Sequence, residues 1–388
     1  MSRDLVFIIL SLITWGLGEG LFYSFQSLYL EEWGADPVRI GGILGAVGLA
    51  MMLSYLPAGY LSDRFGRRPL IFAAWFMGMG ATWVMAMATN LAIFVTGMIL
   101  YGMTAFVTVP LNSYTTAARG RLSVGRTITL ISASFSTGSI LGPVIGGWIG
   151  THFGLQTNFL IAGGIFFAST AFILFIRPQP IEPTTASHPL QSLNLLKDQR
   201  YLHFLAVVFL VMFGLYLPQP LSPNYLSLQQ VNLEQIGFLV TVRSIGIVVL
   251  NLLIGHINAR WGLLLAQLAM LMFTLLLWLG GYPAYILGYF LMGSYVTARG
   301  MILAQGRTLV QATNMGLAYG IIETVNALTI VFGPLLAGVL YQAKPELVYQ
   351  VSAVLIGVGL VVNLLWPAVR RRDLHAFEEK EKAAWTPT

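Results

Sequence analysis

The stretch "GYLSDRFGRRPLI" (Gly59–Ile71) decides how this chain is read. It places one acid, Asp63, and three arginines, Arg64, Arg67 and Arg68, within six residues of a chain that is only 9% charged. Gly59 and Gly66 frame the cluster. On both sides the sequence stays apolar for roughly the 20 residues needed to cross a bilayer. The cluster is therefore a short polar connection between two membrane helices. The rest of the chain agrees: of 388 residues 56% are apolar, and mean hydropathy is +0.76. A soluble domain is nearer half apolar and about a quarter charged. The reading is an all-α, polytopic membrane protein. With no cysteine in the sequence, disulfides, thiolate metal sites and thiol nucleophiles are excluded.

Twelve apolar runs fall roughly at 5–30, 38–61, 69–89, 91–117, 126–151, 156–177, 201–227, 235–258, 261–281, 283–306, 314–341 and 346–368. They are numbered here as spans 1–12. With the N-terminus inside, 17 lysines and arginines fall on cytoplasmic segments and only Arg39 and Lys344 on outer loops. That asymmetry fits the positive-inside rule with both termini cytoplasmic. It also accounts for the net charge of +6, so no nucleic-acid partner is expected. The polar, proline-bearing stretch 178–200 divides a six-helix bundle at 1–177 from a second at 201–369, with a cytoplasmic tail at 370–388. The halves echo each other. "GHINARWG" (Gly255–Gly262) repeats the glycine and arginine spacing of the opening stretch, with Ala259 in place of Asp63. "GSILGPVIGG" (Gly138–Gly147) is matched by "TIVFGPLLAG" (Thr329–Gly338). Ligands of such repeat folds bind near the midplane between the halves.

The G-x-L-S-D-R-x-G-R-R loop, the G-P-x-x-G-G of span 5 and the 6+6 repeat resemble the major facilitator superfamily over essentially the whole chain. The span-5 motif, Gly138, Gly142, Pro143, Gly146 and Gly147, resembles that of the 12-helix drug/proton antiporters. The resemblance implies that Gly59, Asp63, Arg64, Gly66, Arg67 and Arg68 latch span 2 to span 11 when the cytoplasmic side closes. It also implies that spans 1, 4, 7 and 10 line a central cavity. In span 5 the glycines share a face and allow close helix contact, and Pro143 is expected to bend the helix. One position departs from the antiporter pattern. Those proteins carry an arginine in span 4, four residues before a glycine; here the glycine is Gly102 and the position is Met98, so that relay is absent.

Charges inside spans are costly and functional. Four are present: Glu19, Arg243, Arg299 and Glu323. Glu19 and Arg243 fall at similar depths in the outer half of the membrane. Arg299 and Glu323 each lie about 12 Å from the inner side at 1.5 Å per residue. Two opposite-charge pairs are thus available, either as static ion pairs or as a coupling device. Trp15, Phe22, Tyr23 and Gln26 share the face of Glu19 at helical spacing. Thr108 and Asn112 lie on a polar stripe of span 4 that runs from Thr104 to Thr115. Tyr295 precedes Arg299, and Tyr319 and Asn326 flank Glu323. Pro218, Pro220 and Pro223 break span 7 near the outer surface, placing Tyr216 and Gln219 at the mouth. All of these are candidate cavity residues.

The expectation is a secondary transporter working by alternating access, most simply proton-coupled export of an amphipathic compound. The alternative is uptake, or facilitated passage, of a polar metabolite. A membrane sensor would carry a larger soluble output domain, and an intramembrane enzyme a clustered nucleophile or metal set. The expected partners are a small-molecule substrate, protons and the lipid bilayer. The expected form is a monomer in the cytoplasmic membrane, without cofactor or metal.

Overall fold

The structure is a computed structural model that describes residues 2–179, 198–310 and 315–365. The expected linker lies mostly, and the expected tail wholly, outside these residues. Every regular element among the described residues is helical, and twelve helices are long and apolar enough to cross a membrane. They are span 1 (Arg3–Glu32), span 2 (Pro37–Tyr55), span 3 (Arg67–Ala86), span 4 (Leu91–Ala117), span 5 (Arg126–Phe153) and span 6 (Leu155–Ile173). Then follow span 7 (Gln199–Tyr216), span 8 (Leu233–Ile254), span 9 (Ala259–Leu279), span 10 (Tyr282–Arg307), span 11 (Ala318–Ala343) and span 12 (Leu347–Leu365).

Local chemistry sets the helix starts. Ser2, Asp36, Asn90 and Ser123 each accept a hydrogen bond from a backbone N–H in the first turn of the helix that follows, satisfying a donor that the helix cannot. Asn232 and Gln235 cap each other's backbone ahead of span 8, through Gln235 N to Asn232 Oδ1 at 2.9 Å and Asn232 N to Gln235 Oε1 at 3.2 Å. Between the helices of spans 2 and 3, Gly66 sits at φ +85°, a conformation glycine adopts without strain.

The spans expected to line a cavity differ from the rest: all four are interrupted. Span 1 passes through a 3-10 turn at Tyr23–Phe25 and span 4 through one at Thr104–Val107. The helix of span 10 breaks at Gly293, and that of span 7 ends at Tyr216, where Pro218 and Pro220 follow. Irregular backbone at membrane depth is tolerated only inside protein or along a water-filled cavity. In span 4 the freed carbonyls find local donors, from Thr104 Oγ1 to Tyr101 O at 2.6 Å and from Thr108 Oγ1 to Ala105 O at 3.0 Å. By contrast, the helix of span 5 runs from Val124 to Phe153 through Pro143 without a break.

The described residues pack as two units, bounded by Met1–Thr185 with Pro220–Ser244 and by Ala186–Gln219 with Ile245–Thr388. In the first, a core cluster gathers Leu5, Ile8, Leu12, Ile71, Trp75, Tyr114 and Ile173. Trp75 donates its indole N–H to Ser11 Oγ at 2.8 Å, a buried polar link between spans 1 and 3. In the second, Asn363 donates to Gln267 across spans 12 and 9 at 2.9 Å, and Tyr201 donates to Ala318 O at 2.9 Å.

Span 5 is the seam of the first unit. A Cβ added at Gly138 would collide with Ile13 O, one at Gly142 with Gly20, and one at Gly146 with Leu21 O. The partner face on span 1 carries its own small residues, Gly16 and Gly20, four apart. The other side of the motif meets the start of span 8: Gly147 lies against Leu233, and Gly237 against Pro143 O. Thr241 Oγ1 completes this contact by donating to Ile140 O at 2.7 Å.

Candidate functional site

A cavity of about 410 Å³ opens inside the first unit. Span 1 contributes Trp15, Glu19, Tyr23 and Gln26; span 4 contributes Met98, Tyr101, Thr104, Thr108 and Asn112; span 5 contributes Ser132, Phe135 and Ser136. Both 3-10 interruptions of this unit lie on its wall, so the breaks in spans 1 and 4 coincide with the place where backbone needs water or protein cover. Among the described residues, Glu19 is the only acid in the lining, and no lysine or arginine accompanies it there. Its Oε2 accepts a hydrogen bond from Tyr101 Oη at 2.7 Å, and the Trp15 indole lies within hydrogen-bonding reach of the same carboxylate.

Of the expected cavity residues in this half, Trp15, Tyr23, Gln26, Thr108 and Asn112 do line the space. Phe22 does not. It is fully buried among the rings of Tyr101, Phe159 and Phe166, at 5.3, 5.0 and 6.3 Å between centroids. Three residues of helix fall about 60° short of a full turn, which is enough to rotate Phe22 off the wall. Sequence reasoning missed Tyr101, Ser132 and Ser136. Tyr101 stands one turn before Thr104 and continues the polar stripe of span 4, so the signal was present. Ser132 and Ser136 are four apart on span 5, masked by the glycine motif that follows.

The second unit assembles the other candidates around an ion pair. Arg299 Nε approaches both oxygens of Glu323, at 3.1 and 3.0 Å, and Nη2 reaches Oε2 at 2.7 Å, a forked pairing. About a turn from Arg299, Tyr295 donates to Asn326 Oδ1 at 3.1 Å, and the Tyr216 ring lies 5.8 Å from that of Tyr295. Tyr319 is half-buried one turn before Glu323. Gln219 is buried and donates to Leu215 O at 2.8 Å, closing the end of span 7. Arg243 belongs to the first unit, where it and Glu19 both lie within electrostatic reach of Tyr23.

In the Gly59–Arg68 loop, the side chains at 59 and 63 lie outside the described ones. Arg64 stacks on Phe65 at 5.5 Å and Arg68 on Phe72 at 4.7 Å. Arg67 Nη1 reaches Ser113 O at 3.4 Å and Gln179 Oε1 at 3.3 Å, tying the start of span 3 to the last turns of span 4 and to the segment after span 6.

Twelve spans, discontinuous helices at a membrane-embedded cavity and a lone carboxylate within it define a membrane transport protein. The model of the Major Facilitator Superfamily matches residues 7–234 and 204–388, and the chain belongs to that superfamily. Multidrug resistance protein 2 of Bacillus subtilis is 24% identical over 369 residues, covering 90% of this chain and 92% of that one. The class C tetracycline resistance protein of Escherichia coli is 25% identical over 360 residues, covering 85% and 86%. Among solved structures, the nucleoside transporter NupG superposes with a TM-score of 0.78 at 16% identity, covering 95% of this chain and 99% of that chain. A bacterial homologue of the human lysosomal transporter Spinster gives 0.72 at 13%, covering 95% and 96%. The chain is thus a multi-pass integral membrane transporter whose curated relatives include drug-efflux proteins.

Proposed function

We propose that this transporter exports amphipathic, cationic compounds in exchange for protons, with Glu19 as the group that both cargoes share. The observation that carries this reading is the composition of the cavity: one carboxylate, several aromatic rings, neutral polar groups and no basic residue among the described residues of the lining. Aromatic faces attract cations, and an acid within a membrane span marks an ion or substrate path. A proton on Glu19 and a cation beside it exclude one another, which is the logic of antiport. The relatives named for multidrug and tetracycline resistance support the direction of transport. The protein works as a monomer in the cytoplasmic membrane with both termini inside, and the Gly59–Arg68 loop acts as the latch of the cytoplasmic side.

A second reading is uptake of a polar metabolite. The hydroxyl and amide groups of Thr108, Asn112, Ser132 and Ser136 on the wall favour it, as does the likeness to a nucleoside transporter. Flux into proteoliposomes separates the two. Under an imposed pH gradient, a fluorescent lipophilic cation should accumulate against its own gradient and a labelled nucleoside should not. Accumulation of the nucleoside alone, or cation flux indifferent to the pH gradient, overturns the export reading.

A further inference from the structure

The proton site of this transporter has a second member that the transport reading does not require. Glu19 does not face the cavity alone. Tyr101 reaches it from span 4, with Oη 2.7 Å from Glu19 Oε2. The tyrosine is held by its ring. It stacks parallel to Phe166 at 6.1 Å and to Trp15 at 6.3 Å, and meets Phe22 edge-on at 5.3 Å. With three rings fixing its plane, the hydroxyl is a preset donor aimed at one oxygen. Tyr101 is also in the last full turn of helix before span 4 loosens into its 3-10 segment, and its carbonyl is occupied by Thr104 Oγ1. The donor therefore stands at the joint of an interrupted, cavity-lining helix. Any rearrangement of that joint moves the hydroxyl relative to the carboxylate.

We propose that Tyr101 is the positioning residue that tunes how tightly Glu19 holds its proton, and that movement at the span-4 joint switches this tuning on and off. The proposal rests on the reading of Glu19 as the coupling site. A hydrogen bond donated to a carboxylate stabilises its charged form. When Tyr101 donates, Glu19 gives up its proton and is open to a cation. When the joint shifts and the donor is withdrawn, Glu19 takes a proton from cavity water and Tyr101 keeps its own. The titratable group next to this pair is Tyr23, one turn on in span 1. Beyond it, Tyr55 on the helix of span 2 and Arg243 on span 8 lie within electrostatic reach of Tyr23. The Trp15 indole is the remaining donor within reach. None of these takes the place of Tyr101: Tyr23 is four residues further along, and the indole cannot be withdrawn by span 4.

The test is an infrared titration of the purified full-length protein in lipid, following the carboxylic acid C=O band across pH. The Glu19→Gln protein identifies the band. In the Tyr101→Phe protein the ring stack is kept and only the hydroxyl is lost. Its Glu19 band should half-titrate at higher pH by about one unit, the amount expected for one hydrogen bond to a charged group. The pH profile of proton-driven cation flux should move the same way, and Tyr101→Phe should have no further effect on flux in the Glu19→Gln background. A purely structural tyrosine would lower thermal stability without moving the band. A band that titrates identically in the parent and in Tyr101→Phe overturns the role of Tyr101 and leaves the coupling reading intact. If Glu19→Gln removes no titrating band, the coupling reading fails, and the proposal fails with it.

Discussion

The two intramembrane carboxylates of this transporter are placed in opposite ways. Glu19 faces a cavity, with a neutral phenol donating to it and an indole within hydrogen-bonding reach. Glu323 is clasped by both ends of the Arg299 guanidinium. A carboxylate held by neutral donors can change its proton or its counter-ion at modest cost. One locked in a forked ion pair cannot, since protonation would abandon the arginine. Under the proposed antiport, exchange falls to the acid of the first unit and the second unit holds a charge pair, in line with the sequence, where Glu19 stands among aromatic and polar residues and Arg299 is available at the depth of Glu323.

The comparison breaks most directly at Glu19. With Glu19→Gln, accumulation of a cationic substrate driven by a pH gradient should fall to the equilibrium level, while downhill exchange and folding persist. Glu323→Gln should keep uphill accumulation. Proteoliposome flux with an imposed gradient measures both, and equal loss in the two variants would erase the distinction.

The next largest effect is on the frame that holds Glu19. Gly142 lies against the backbone of Gly20, the residue beside Glu19, with no room for a Cβ. Gly142→Val should force spans 1 and 5 apart and cost about 3 kcal/mol, the upper range for an overpacked core. It should also lower proton-driven flux, because Glu19 would move away from Tyr101. Unfolding in detergent reads the first effect and flux the second. A variant as stable and as active as the parent would show that the seam is not what positions the site.

A smaller effect is expected at the ion pair. Arg299 and Glu323 are 48% and 32% exposed, so solvent screening reduces what the pair contributes. Arg299→Leu alone should destabilise by about 1–2 kcal/mol, since it strands an acid inside a span. Adding Glu323→Leu should recover most of that. A double-mutant cycle on unfolding free energies gives the coupling, and additive losses would mean that the two charges do not act as a pair.

Much of this was legible in the chain itself. Length and spacing of apolar runs are local properties, and they placed all twelve spans. The charge pairing was not: depth along a helix is readable, but facing direction across helices is set by packing. Arg299 and Glu323 meet, whereas Glu19 meets Tyr101, a residue whose functional character comes only from its neighbour. The interruption at Tyr23 carries no proline and follows from cavity exposure, a tertiary property. The one at Thr104–Val107 was missed although Pro110 marks it: a proline there removes the N–H that would bond the Phe106 carbonyl and crowds that carbonyl. The partner glycines of span 1, Gly16 and Gly20, carry the small-residue spacing openly and were obscured by the acid between them.

The finest comparison is between the two repeated loops. Arg67 bridges two acceptors, Ser113 O and Gln179 Oε1, and Gln179 itself donates to Tyr114 O at 3.0 Å. In the second loop Arg260, which matches Arg64 in the repeat, reaches one carbonyl, Leu364 O, at 3.3 Å. Both arginines are half-buried, so the difference lies in the number and connection of their partners rather than in solvation. Arg67→Ala removes one member of a chain of bonds joining spans 3 and 4 to the segment after span 6, and should cost about 1 kcal/mol. Arg260→Ala removes a single long bond and should cost about 0.5 kcal/mol or less. Thermal unfolding of each variant in the same detergent gives the order, and Gln179→Leu provides the control. Loss of Gln179 should blunt the effect of Arg67→Ala and leave that of Arg260→Ala unchanged. If Arg260→Ala proves the more damaging, or if Gln179→Leu is additive with Arg67→Ala, then the loop of the first half is not the better anchored of the two, and its arginines serve chiefly to set topology.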